Sequence, residues 1–346
     1  MRNNSRNNYR CRRRNKGASQ IKLVGIVAVI VVIAIVIIIS CFNKAKKDGN
    51  KAKDTGVATE NVTAVTEQVS ETEEAKEPFV PKESDATAAI GDELESSYAV
   101  VIDEQDGTVV AGKNAHEKMY PASMTKVMTL LTSVDFVGSK DKMYEYTLDS
   151  SDYCYINGTS MAGLTVGEKV SANDLYYGLI LPSGGDAAVG LASVTTDQED
   201  FSYFTDLMNL EVAMMGLKNT HYTNPVGLHD ENNYSTACDT AVLLNYAMQN
   251  VDAAPVLEAE SYRMTTTSMH ENGIRVYSLV HKYFYKHNVD NVNLIGGKTG
   301  YTTEARSCLV VEVEKNGKKY IVCTAHAPSQ SDMMEDHKKI YDKYCI

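Results

Sequence analysis

Apolar and polar positions divide the chain into regions of different periodicity. From Leu23 to Ile39, seventeen consecutive residues lack a polar side chain, and Ser40, Cys41 and Phe42 bring the run to twenty. At about 1.5 Å per residue, twenty helical residues cross the roughly 30 Å hydrocarbon layer of a bilayer, so residues 21–42 are read as a transmembrane helix. Residues 43–91 carry no apolar period that could bury a face and are read as a disordered linker. Regular pattern then returns. Two apolar runs, Tyr98 to Ile102 and Thr108 to Ala111, flank Asp106-Gly107 and predict a hairpin. Val127, Leu130, Leu131 and Val134 follow the helical i, i+3, i+4, i+7 spacing, with Met124 and Met128 widening the apolar surface, so this helix is expected to be deeply buried. Further helical stretches are read near 172–181, 186–195 and 201–215, before the loop "NPVGLHDENNYSTA". Strand character resumes in "SCLVVEVE" and "KYIVCTAHA" around an Asn316-Gly317 turn. The chain closes on an amphipathic helix with Met333, His337, Ile340, Tyr341 and Tyr344 on one face. Strands at both ends with helices between them predict an α/β fold of the α+β type, an antiparallel sheet built from both ends of the domain around a helical insertion.

Charge sharpens this division. Eight basic and no acidic residues precede the apolar run, which keeps residues 1–20 cytoplasmic by the positive-inside bias and exports all that follows Phe42. A cleaved signal peptide is the main competitor, but the run exceeds the usual apolar core and no Ala-x-Ala site follows. Ile38 to Cys41 loosely resembles a lipoprotein box, which would place a lipid on Cys41. Either alternative still exports the domain. Residues 92–346 hold 19 of the 34 basic and 35 of the 45 acidic side chains, a net −16 that speaks against nucleic acid as a partner. Five cysteines fall in this domain with no Cys-x-x-Cys pair. The Asn316-Gly317 turn sets Cys308 opposite residue 325, so no disulfide to Cys323 is expected.

Chemistry concentrates in three short stretches. "YPASMTKVMT" puts Ser123 at the mouth of the buried helix with Lys126 one turn on, where residues three apart share a face and free backbone N–H groups favour developing negative charge. A serine hydroxyl needs a base, and a lysine serves when burial or another cation lowers its pKa. Taken alone, Ser123 reads first as a helix cap, and the same spelling recurs at Ser19–Lys22 and Ser139–Lys142. "LPSGGDAA" supplies Ser183, and "IGGKTGYT" supplies the one Lys-Thr-Gly, Lys298 to Gly300, before a strand. There glycine permits close approach, threonine offers a hydroxyl, and lysine offers a cation to a carboxylate.

In that order, Ser123–Lys126, Ser183 and Lys298–Thr299–Gly300 resemble the motif set of penicillin-binding proteins and serine β-lactamases. More narrowly the chain is similar to the low-molecular-mass serine D-alanyl-D-alanine carboxypeptidases, through "GTSMAGLTVGEKVSANDLYYGLILPSGGDAA", "MMGLKNTHYTNPVGLHDENNYSTACDTA" and "GGKTGYTTEARSCLV" as well. The resemblance implies a β-lactamase/transpeptidase-like catalytic domain over 92–346, no cofactor and no metal. It implies Ser123 as nucleophile, Lys126 as base and Ser183 as proton relay. Lys298 and Thr299 would hold the substrate carboxylate, with Lys298 helping to keep Lys126 neutral. Backbone N–H groups of Ser123 and Tyr301 would form the oxyanion hole. The implied partners are the peptidoglycan stem peptide and β-lactam antibiotics. Two features depart from the family: Gly185 stands where Asn is usual, and no arginine follows the last strand in "HAPSQSD". Competing functions are a β-lactamase, for which no matching glutamate loop is found, and a catalytically weak wall-binding or β-lactam-sensing protein. A zinc carboxypeptidase lacks its His-x-x-Glu-His or His-Glu-x-x-His spacing.

Overall fold

The computed structural model describes residues 79–346. The expected transmembrane helix and most of the expected linker lie outside the described residues, and among those described no helix is long and apolar enough to cross a membrane. In chain order the elements begin with β1 (Ala88–Ala89), β2 (Tyr98–Asp103), β3 (Val109–Lys113), a 3-10 turn (Ala122–Met124) and α1 (Thr125–Phe136). Then come β4 (Met143–Glu145), α2 (Leu148–Ile156), β5 (Lys169–Ser171), α3 (Ala172–Ile180), α4 (Gly185–Thr196) and α5 (Ser202–Met214). The chain continues through α6 (Ala237–Gln249), α7 (Ala254–Glu258), β6 (Ser261–Arg263), β7 (Arg275–Tyr277) and α8 (Leu279–Lys286). It ends with β8 (Asn293–Thr302), β9 (Arg306–Lys315), β10 (Lys318–Ala327) and α9 (Gln330–Tyr344).

One six-stranded sheet, ordered β1-β3-β2-β10-β9-β8, joins the two ends of the domain. All its pairings are antiparallel except that of β1 with β3. Because side chains alternate along a strand, each central strand feeds two cores. Val100, Ile102, Val310, Ile321 and Cys323 face the helical insertion. Ala99, Val101, Leu309, Val311, Val313 and Val322 face the layer that holds α9. Burial on both faces explains why these strands read as unbroken apolar runs. Helix α1 lies within the first core, with Val127, Met128, Leu130 and Leu131 buried. Helix α9 caps the second with the five residues of its predicted face, and its Ser329 hydroxyl accepts from the Asp332 N–H.

Two expectations need correcting. The folded unit does not begin at residue 92. Lys82 bridges Thr108, β1 pairs with β3, and Ile90 and Leu94 are buried in the α9-side core, so residues 79–91 belong to the domain rather than to a linker. Their few apolar residues carry no period of their own and gain a partner only when β3 is in place. Helices α2, α6, α7 and α8 and the ribbons β4–β5 and β6–β7 are additional to the predicted elements. Helix α6 is buried nearly all round, and Thr236 accepting from the Asp239 N–H marks its start. All five cysteines in the described residues are free, and the β9–β10 register pairs Cys323 with Val310.

Candidate active site

Ser123 sits in the middle of the 3-10 turn that leads into α1, and the chain reaches it through Ala122, whose φ of 47° is left-handed. The cap position of α1 falls on Met124, and no side chain caps it. Ser123 is therefore not the helix cap that its spacing also allowed. Its hydroxyl instead meets Lys126, whose Nζ lies 3.1 Å from Ser123 Oγ and donates to the Val226 carbonyl at 2.6 Å. Lys126 lies on the buried helix and is 2% exposed. Burial brings its pKa down to about 7, with the Asp186 carboxylate pulling in the opposite direction.

Ser183 occupies the bend between α3 and α4 with a φ of 65° and is 3% exposed. The polar "PSGG" run cannot continue the helix, and the left-handed turn keeps the hydroxyl inside the fold. Lys298, on β8 and 1% exposed, donates to Ser183 Oγ and to the Thr299 carbonyl, both at 2.9 Å. Its pKa is pushed well below the ordinary lysine value, first by burial and then by Lys126. Burial thus disfavours the charged form of both amines, and their proximity adds to it.

Gly300 allows β8 to press on the turn bearing Ser123, since a Cβ there would stand 2.8 Å from the Pro121 carbonyl and 3.3 Å from Ala122 Cβ. Ser123, Lys126, Ser183, Thr299, Gly300 and Tyr301 line one cleft of about 820 Å³, and Tyr301 stands at its mouth, 68% exposed. Three stretches, with 57 residues from Lys126 to Ser183 and 115 from Ser183 to Lys298, therefore meet around one space.

Sequence reasoning assigned no role to the loop Asn224–Leu228. Asn224 Oδ1 accepts from the N–H groups of Val226, Gly227 and Leu228, which turns the Val226 carbonyl onto Lys126. The Asn-Pro-Val-Gly spelling is a turn signal and could have marked the spot. Thr159 and Asp186 were also missed. Thr159 lines the cleft, and the buried Asp186 carboxylate holds the N–H groups of Ala162, Gly163 and Leu164. Nothing in their local sequence announces either.

This geometry can be set beside known proteins. A sequence model of peptidase S11, the D-alanyl-D-alanine carboxypeptidases, matches residues 83–329. The chain belongs to this family. The D-alanyl-D-alanine carboxypeptidase DacF of Bacillus subtilis is 30% identical over 276 residues, spanning 78% of this chain and 66% of that relative. A D-alanyl-D-alanine carboxypeptidase of Streptomyces sp. strain K15 is 30% identical over 68% of this chain and 82% of its own length. The crystal structure of the Streptomyces K15 DD-transpeptidase superposes with a TM-score of 0.65 at 28% identity, covering 73% of this chain and 98% of that one. The fold is thus the transpeptidase/β-lactamase-like one, and the family boundary near residue 83 agrees with a folded unit that starts upstream of residue 92.

Proposed function

We propose that this chain is a serine-type D-alanyl-D-alanine carboxypeptidase that trims the stem pentapeptide of peptidoglycan. The observation that carries the reading is the approach of Lys126 Nζ to within 3.1 Å of Ser123 Oγ, in a setting that brings the lysine to about 7. Near neutral pH such an amine is free to take the serine proton. Ser123 Oγ attacks the carbonyl carbon between the two terminal D-alanines as its proton passes to Lys126. The tetrahedral oxyanion is held by the backbone N–H groups of Ser123 and Tyr301. Collapse breaks the C–N bond, the departing amine takes a proton through Ser183, and the shortened peptide remains as an ester on Ser123. Water attacks the ester, returning the serine and the tetrapeptide. Lys298 and Thr299 receive the terminal carboxylate, whose charge favours the Lys298 ammonium that burial disfavours. A β-lactam follows the same first step and is retained as the acyl-enzyme. Neither step draws on a metal or cofactor.

Residues 1–20 and 21–42 are read as a cytoplasmic basic tail and a single membrane anchor, which place the domain outside the cell membrane. The apolar run and the preceding basic cluster support this.

The test is release of D-alanine from a peptide ending in D-Ala-D-Ala by the full-length chain, with Ser123→Ala as control. Release by the wild type and none by the variant is the expected result. Equal release by both ends the proposal. Because the solved relative is a DD-transpeptidase, an amine acceptor is supplied in parallel, and a product joined to that amine would identify acyl transfer in place of hydrolysis.

A further inference from the structure

The cleft has two walls, and the motifs account for only one of them. Strand β8 is the outermost strand of the sheet, and its residues Thr299 to Thr302 line the cleft. An extended peptide laid along such an edge turns half of its backbone polar groups toward the strand and the other half away. Those turned away need partners on the facing wall, which is formed by residues 157–160.

Within that wall Thr159 is the half-buried residue, while Asn157, Gly158 and Ser160 are exposed. Its position is fixed from both sides. The Thr159 N–H donates to the Cys154 carbonyl at 3.1 Å, and the Gly185 N–H donates to the Ser160 carbonyl at 2.6 Å. Asp186 then clamps the N–H groups of residues 162–164. The Thr159 side chain lies directly on the α-carbon of Gly185. A Cβ at 185 would stand 2.6 Å from Thr159 Cβ and overlap Thr159 Oγ1. The absent side chain at 185 and the placement of this hydroxyl are one arrangement. Among the described residues the hydroxyl is matched only by sulfur, Met161 Sδ at 3.6 Å and the Cys154 thiol, both weak partners that a peptide group readily replaces.

Resting on the function proposed above, we infer that the Thr159 hydroxyl is the substrate-binding group of the second wall. It hydrogen-bonds a backbone amide of the stem peptide on the side turned away from β8, and Gly185 is the residue that gives it room.

The experiment compares full-length wild type, Thr159→Val and Thr159→Ser in D-alanine release from a D-Ala-D-Ala peptide, with melting temperature and the rate of acylation by a penicillin measured alongside. Thr159→Val keeps the shape and loses the hydroxyl, and it is expected to raise KM roughly 10-fold with kcat changed less than about 3-fold. Thr159→Ser is expected to stay within about 3-fold of wild type. If Thr159→Val does not fold, Thr159→Ala takes its place with the same expected KM. Unchanged KM in the variant lacking the hydroxyl overturns the inference, as does a loss in Thr159→Ser equal to that in Thr159→Val. A wild type that is acylated by penicillin and releases D-alanine, beside an unaffected Thr159→Val, refutes this inference alone. A wild type inert to both substrates refutes the proposed activity and this inference with it.

Discussion

At the scale of single residues the controlling quantity is the protonation of Lys126. In the proposed reaction it serves as a base only when neutral, and burial brings its pKa down to about 7. The expected kcat/KM for acylation therefore falls about tenfold per pH unit below 7 and levels off above it, up to any second ionisation. A profile flat from pH 5 to 8 would count against Lys126 as base. Lys126→Arg is expected to lose at least about a thousandfold at every pH, because a guanidinium stays charged. Stability has the matching sign. The unfolded lysine titrates near 10.4, so between about pH 7 and 10.4 the unfolded chain holds the extra proton and folding is favoured as pH rises. Denaturant midpoints across that window should show a contribution of this sign that Lys126→Met removes. At this scale much was legible from sequence: Ser123, Lys126, Ser183, Lys298, Thr299, Gly300 and Tyr301 were named from short spellings and all line or bound one cleft. Their bonded partners were not legible, since Val226 reaches Lys126 from a hundred residues away.

Elements set the geometry that those residues need. The turn bearing Ser123 is held between β8, through Gly300, and the loop Asn224–Leu228, through Gly227. A Cβ on Gly227 would overlap the Ala122 carbonyl, and the φ of 84° already disfavours any other residue. Gly227→Ala is therefore expected to cost about 2–4 kcal/mol in denaturant unfolding and to slow penicillin acylation sharply. A neutral outcome would mean that the turn yields easily. Gly300→Val should act on the same contact from the other side, lowering acylation by roughly 10-fold or more while the sheet stays folded. Helices with one apolar face, such as α9, and helix α1 with its capless entry, were readable from period. Helices α6 and α2 were not. Helix α2 keeps just Ser150 and Cys154 buried, so it shows no one-sided apolar stripe for its period to reveal.

For the whole molecule, the two chain ends of the domain share one sheet, so trimming the front is felt across it. A chain starting at residue 92 loses β1, the Lys82 bridge and buried Ile90. It is expected to melt about 5 °C or more below a chain starting at residue 77, measured by circular dichroism. Equal melting temperatures would return residues 77–91 to the linker. The sequence by itself determined the apolar run at 23–42, the change of charge along the chain, the sheet-and-insertion plan and the order of the chemical spellings, because each is written in local composition and period. Only the tertiary structure decided that Ser123 faces Lys126 rather than capping its helix, that Lys126 and Lys298 are both buried beside one another, and that Gly185 opens space for Thr159. Those facts depend on burial and on distances between segments far apart in the chain, and a residue's pKa and its neighbours come into being only when folding removes water from around them.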